Sequence, residues 1–151
     1  MLEGFRLEKR NVSTGIDISY RIGGAGQPLL MLHGYPETHL MWAKIAPWLA
    51  EHFTLVMSDL RGYGDSGKPK SDPRHEAYSF RTMAEDQASL MKLLGYKQFA
   101  VAGHDRGARV THRMCLDHPD RVTHAAVLDI APTLTMYERT DMSFAMGYYE
   151  W

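Results

Sequence analysis

Apolar and polar positions alternate early in the chain, over Phe5–Val12 and again over Ile16–Ile22, with Ser13-Thr14-Gly15 between the two stretches. A period of two interrupted by a short glycine-containing break predicts two antiparallel strands joined as a hairpin. Gly23-Gly24-Ala25-Gly26-Gln27-Pro28 then ends the alternation. Beyond it come short unbroken apolar runs: "LLML" at Leu29–Leu32, "FTLVM" at Phe53–Met57, Phe99–Ala102 and Ala125–Leu128. Runs of this length are expected of strands covered on both faces. Segments with helical spacing lie between them. Trp42–Ala50 predicts one helix. Phe80–Leu94 predicts a second, with Ser79 as its cap and Met83, Gln87, Leu90, Met91 and Leu94 along one side. Arg106–Asp117, stopped by Pro119, predicts a third. Asp59–Tyr78 holds most of the glycine and proline of the middle third and reads as a long loop.

Strands alternating with helices at this spacing predict an α/β protein: a mostly parallel sheet with helices on both faces, led in by the hairpin. Ligands in such sheets bind at the carboxyl ends of the strands. Four polar turns fall there, "HGYPET", "DLRGYG", "HDRGAR" and "DIAPT", and they are expected to converge on one site.

Composition narrows the function. The 151 residues are 44% hydrophobic and 11% aromatic, enough for one domain with a core. The net charge of -1 leaves no broad footprint for nucleic acid or an anionic membrane, so an anion site must be local. The single cysteine, Cys115, excludes an internal disulfide framework. The N-terminal stretch lacks the apolar segment of a secretory signal, and no run approaches the ~18 apolar residues of a membrane span. A soluble, cytoplasmic protein is expected.

Gly103-His104-Asp105-Arg106-Gly107 has the G-x-nucleophile-x-G form of a strained strand-to-helix turn that lifts one side chain above a sheet. Aspartate stands where serine is usual. Arg106 and Arg109 follow on the first helical turn, where a cation opposes the helix dipole by a few tenths to ~1 kcal/mol, so an anion is expected to offset them. Guanidinium forks suit a carboxylate. "HGYP" offers a turn whose backbone N–H can face the crevice, as an oxyanion site requires. Two readings fall away. "GYGDSG" satisfies G-x-G-x-x-G but runs into Lys68-Pro69-Lys70 instead of a helix, which excludes a dinucleotide site. The eight histidines include no H-E-x-x-H and no Cys/His pair at ligand spacing, so no metal is expected. Asp59 and Arg61 read as a structural pair or as loop hydrogen-bonders.

On "HGYPET", "DLRGYGDSGKP", "GHDRGAR", "LDHPDRV" and "LDIAPT", in that order, the sequence resembles the fluoroacetate/haloacetate dehalogenases of the α/β-hydrolase superfamily. "GHDRG" with a second arginine is the specific part. Epoxide hydrolases and haloalkane dehalogenases share the turn but typically carry tryptophan where Arg106 stands. The resemblance implies an α/β-hydrolase core over residues 1–151 that lacks the C-terminal strands, with a helical cap beginning near 140–151. It implies hydrolysis of a small halogenated carboxylate without a cofactor, and leaves a homodimer of the complete protein open.

The resemblance also implies roles. Asp105 attacks the α-carbon and expels halide, while Arg106 and Arg109 hold the substrate carboxylate. Backbone N–H groups of Tyr35 and Arg106 stabilise the oxyanion when water attacks the resulting ester. Asp129 orients a base histidine that the family supplies from beyond position 151; His104 is expected to turn away from the crevice and His33 to buttress its loop. Glu150-Trp151 stands where the family has a halide-binding His-Trp pair, so Trp151 keeps a donor while Glu150 disfavours fluoride. The rival expectations are an epoxide hydrolase and a catalytically silent carboxylate-binding fragment.

Overall fold

The computed structural model describes residues 2–148. Strands β1 (Arg6–Asn11) and β2 (Asp17–Gly24) form the antiparallel hairpin, with register Arg6 opposite Ile22 and Asn11 opposite Asp17. β3 (Gln27–Leu32), β4 (Phe53–Ser58), β5 (Phe99–His104) and β6 (Val122–Leu128) complete a six-stranded sheet of order β1-β2-β4-β3-β5-β6. β3 pairs in parallel with β4 and with β5, and β5 with β6. The α/β expectation, a mostly parallel sheet led in by a hairpin, is met.

The apolar runs of β3, β4 and β5 are covered on both faces because successive side chains point opposite ways, whereas the run Ala125–Leu128, expected to be covered likewise, is exposed at the outer strand β6. Leu30 and Leu32 join Val56 and Val101 beneath Met83, Leu90 and Met91 of α2 (Phe80–Leu93) and Val110 and Met114 of α3 (Arg106–Asp117). Leu29 and Met31 join Leu55 and Met57 on the other face, under Trp42 and Ala46. Ser79 caps α2 as expected, its hydroxyl accepting from Thr82 N–H.

The single helix expected over Trp42–Ala50 is corrected. A 3-10 turn spans His39–Lys44, and α1 (Ala46–Leu49) starts afresh after Ile45. Pro47 in the first turn of α1 has no N–H to return to the preceding turn, so the two pieces cannot fuse.

β6 is the outer strand on its side of the sheet formed by the described residues, and its Val127 and Leu128 are exposed. α4 (Thr133–Arg139) and α5 (Met142–Tyr148) follow it without burying a residue. No helix among the described residues is long and apolar enough to cross a membrane.

Candidate active site

The β5–α3 turn supplies the apex. Asp105 has φ 47° and ψ −113°, a backbone conformation that costs a non-glycine residue about 1–3 kcal/mol. The surroundings hold it there: Asp105 N–H donates to the Leu128 carbonyl at 3.1 Å, and its own carbonyl accepts from Ala108 and Arg109. The flanking glycines are needed for space. A Cβ at Gly103 would lie 2.4 Å from the Gly107 carbonyl oxygen, and one at Gly107 would lie 2.4 Å from that of Leu32.

The Asp105 side chain does not cap α3. Its Oδ1 instead accepts the Tyr35 N–H at 2.9 Å, from the "HGYPET" turn after β3. Gly34 lets the two approach, since a Cβ there would sit 2.7 Å from the Asp105 Cβ. Arg106, as the first residue of α3, has an N–H with no acceptor inside the helix. The structure therefore brings Tyr35, Asp105 and Arg106 together.

Two further contacts tie the turns. Leu60 N–H donates to His33 Nε2 at 3.0 Å, so that nitrogen carries no proton and Nδ1 donates to the Gly34 carbonyl at 2.8 Å. Burial foremost pushes His33 below the ordinary imidazole range and keeps it neutral. The Tyr63 ring meets His33 edge to face, with centroids 5.1 Å apart. Burial raises the Tyr63 phenol, and the charges of Arg106 and Asp105 both reach it with opposite effects. The "DLRGYG" turn is expected at the site, but nothing in the sequence singles out Tyr63 within it, because its contact with His33 is made only once the two turns meet.

His104 is a correction. It was expected to turn away, yet its ring lies between two of the converging turns: Nδ1 is 3.2 Å from Glu37 Oε2 and Nε2 is 3.6 Å from Asp129 Oδ2. The same Glu37 oxygen accepts Gly34 N–H at 3.0 Å. Two acids flanking one strand end draw the imidazole toward them. Asp129 itself has φ 55° and a side chain 86% exposed.

Arg106 and Arg109 differ from the other arginines of the two helices. Arg81 and Arg113 both pair with Asp117. Among the described residues, neither Arg106 nor Arg109 has a carboxylate at ion-pair distance. Arg109 donates to Thr133 Oγ1 at 2.9 Å and to Met136 Sδ at 3.4 Å, both uncharged. The guanidinium of Arg106 lies over the Phe80 ring, 6.0 Å from its centroid.

Asp59 and Arg61 do not pair with each other. Asp59 takes the His39 N–H and Nδ1, each at 2.8 Å, and these bonds outweigh burial to hold its carboxyl below the usual range. It also accepts Asp65 N–H, and a Cβ at Gly64 would strike its Oδ2. "GYGDSG" is thus a loop wrapped on Asp59. Arg61 forms a two-pronged buried pair with Asp86 of α2. Trp151 and Glu150 lie outside the described residues.

Comparison with known proteins agrees with the fold. Residues 27–151 match the alpha/beta hydrolase fold family, and the chain belongs to it. Among relatives, it is 52% identical to a fluoroacetate dehalogenase of Burkholderia sp over 152 aligned residues, covering 100% of this chain and 49% of that protein. It is 40% identical to the soluble epoxide hydrolase of Corynebacterium sp. (strain C12), over 80% of this chain and 40% of that one. A solved alpha/beta hydrolase structure from Nostoc sp PCC 7120 superposes with a TM-score of 0.97 at 56% identity, covering 100% of this chain and 52% of that one. The chain spans about half the length of the curated dehalogenase it matches.

Proposed function

We propose that the whole protein is a cytoplasmic hydrolase that removes halide from a haloacetate through an ester on Asp105. The observation that carries this reading is the pairing of an aspartate at a strained apex with two arginines that have no carboxylate partner among the described residues. An anion-shaped deficit beside an anionic nucleophile fits a substrate that carries its own carboxylate.

An Asp105 oxygen attacks the α-carbon, the new C–O bond forms, and halide leaves with the electron pair of the broken C–halogen bond. Arg106 and Arg109 fix the approach and offset the repulsion between two anions. Water then attacks the Asp105 carbonyl carbon. The ester C–O bond on the acyl side breaks, the hydroxyacid leaves, and a base takes the proton of the water. The N–H groups of Tyr35 and Arg106 support the oxyanion. As the resemblance implies, the base is a histidine supplied from the part of the protein outside this chain, with Asp129 orienting it.

A second reading, hydrolysis of an epoxide, is favoured by the identity to the Corynebacterium enzyme. Bromoacetate, bromoacetamide and an uncharged aryl epoxide, offered separately to the full protein, separate the two. Bromide release from bromoacetate with transient carboxymethylation mapped to Asp105 supports dehalogenation. Faster use of the epoxide refutes it. The isolated chain Met1–Trp151 is expected to be labelled once by bromoacetate and to stop; steady bromide release from it would show that it contains a base.

A further inference from the structure

Arg106 makes no ion pair among the described residues, yet its guanidinium has a defined neighbour. Its Cζ lies 6.0 Å from the centroid of the Phe80 ring. An aromatic face attracts a cation through its quadrupole, without carrying a charge and without accepting the N–H donors in the guanidinium plane. A carboxylate at the same place would hold the arginine equally well but neutralise it. Phe80 therefore orients the group while leaving its charge and its donors for something else.

The platform is itself anchored. Phe80 is the first residue of α2 and packs partly buried against the core on that face of the sheet. Ser79 before it caps the helix, and the Tyr78 hydroxyl donates to the Pro69 carbonyl at 2.6 Å. The buried Arg61 donates to the Ala77 carbonyl at 2.7 Å, tying the approach segment to Asp86 of the same helix.

We propose that Phe80 is a specificity-determining positioning residue, whose ring holds Arg106 as an uncompensated cation for the substrate carboxylate. The proposal deepens the haloacetate reading and rests on it for the identity of the anion. Two measurements on the full protein test it separately. The first is the Arg106 Nε–Hε resonance, assigned by its absence in Arg106→Lys. It is expected to show an aromatic ring-current displacement that disappears in Phe80→Leu and survives in Phe80→Tyr. No change in Phe80→Leu overturns the platform whatever the substrate.

The second is kcat/KM, with KM, for bromoacetate against bromoacetamide. Loss of a cation–π contact at a half-exposed site corresponds to a factor of about two to five. Phe80→Leu is expected to lower kcat/KM for bromoacetate by about that factor, with a higher KM for the acid and a smaller loss on the amide, and Phe80→Tyr to restore it. Equal losses on acid and amide would reduce Phe80 to packing and overturn the specificity role. Should the unmutated protein prefer the amide while the resonance behaves as expected, it is the haloacetate reading that fails.

Discussion

The backbone N–H of Tyr35 and the Oδ1 of Asp105 lie 2.9 Å apart across 70 residues of sequence. The contact joins the turn after β3 to the turn after β5, and the absent Cβ of Gly34 is what allows it. Asp105→Asn keeps the shape but replaces an ionised nucleophile with an amide, so halide release by the full protein is expected to fall to background. Gly34→Ala should slow alkylation of Asp105 by bromoacetate while leaving the fold intact, because the added methyl would sit 2.7 Å from the Asp105 Cβ. A halide assay reads the first and intact-mass kinetics the second. Unchanged labelling in Gly34→Ala would mean that this contact does not set the position of the nucleophile.

Arg109 differs from Arg106 in its supports, Thr133 and Met136 of α4, which are uncharged. Removing one charged hydrogen-bonding partner costs about 1.5–3 kcal/mol, so Arg109→Ala is expected to lower kcat/KM for a haloacetate by roughly ten- to a hundredfold. The corresponding haloacetamide should lose much less. If acid and amide suffer alike, Arg109 shapes the site without binding the carboxylate.

What the chain disclosed before folding follows from the range of the forces involved. The clearance that Gly107 needs is set by Leu32 and His33 of a distant strand end. Gly103, by contrast, reads as part of a tight strand-to-helix turn around Asp105 because its clearance is a local demand, against Gly107 and Thr111 of α3. Ser79 as a cap and Met83, Gln87, Leu90 and Met91 as a buried face are likewise written within one helix. Pro47 is equally local in its effect, splitting the Trp42–Ala50 pattern by withholding one backbone N–H. The partners of Arg106, His104 and Arg61 were not legible. Phe80 meets Arg106 only after α2 and α3 pack together, and Glu37 reaches His104 from 67 residues away. Arg61 found Asp86 on a helix instead of its neighbour Asp59, because the loop turns between the two.

His33 should give the protein a pH dependence that originates in the site. Its imidazole is buried and neutral, held by Leu60 N–H and the Gly34 carbonyl, and its pKa lies below the ordinary value. In the unfolded chain it takes a proton near pH 6.5, so the unfolded state binds more protons over that window and stability falls as the pH drops. The contribution is fully present above the unfolded value and is lost as pH falls toward the depressed folded value. Urea midpoints between pH 7 and 5 are expected to decline in the parent and to decline less in His33→Asn. Parallel slopes would place the acid sensitivity elsewhere.

The Arg61–Asp86 pair should dominate local stability beneath the site. Both side chains are almost fully buried, and Asp86 takes two guanidinium donors as well as the Thr14 hydroxyl at 2.5 Å. Asp86→Ala leaves a guanidinium without its carboxylate in the interior, a defect that typically costs about 3–5 kcal/mol. The double variant Arg61→Met/Asp86→Leu removes both charges together and is expected to lose less than Asp86→Ala alone, since replacing a buried pair with apolar groups is often close to neutral. Because Arg61 also holds the Ala77 carbonyl ahead of Phe80, the double variant should still bind a haloacetate more weakly than the parent. Denaturant titration of the full protein reads the first effect and KM the second. A loss below ~1 kcal/mol in Asp86→Ala would mean that water reaches Arg61 once its partner is gone, and that the pair contributes packing more than charge.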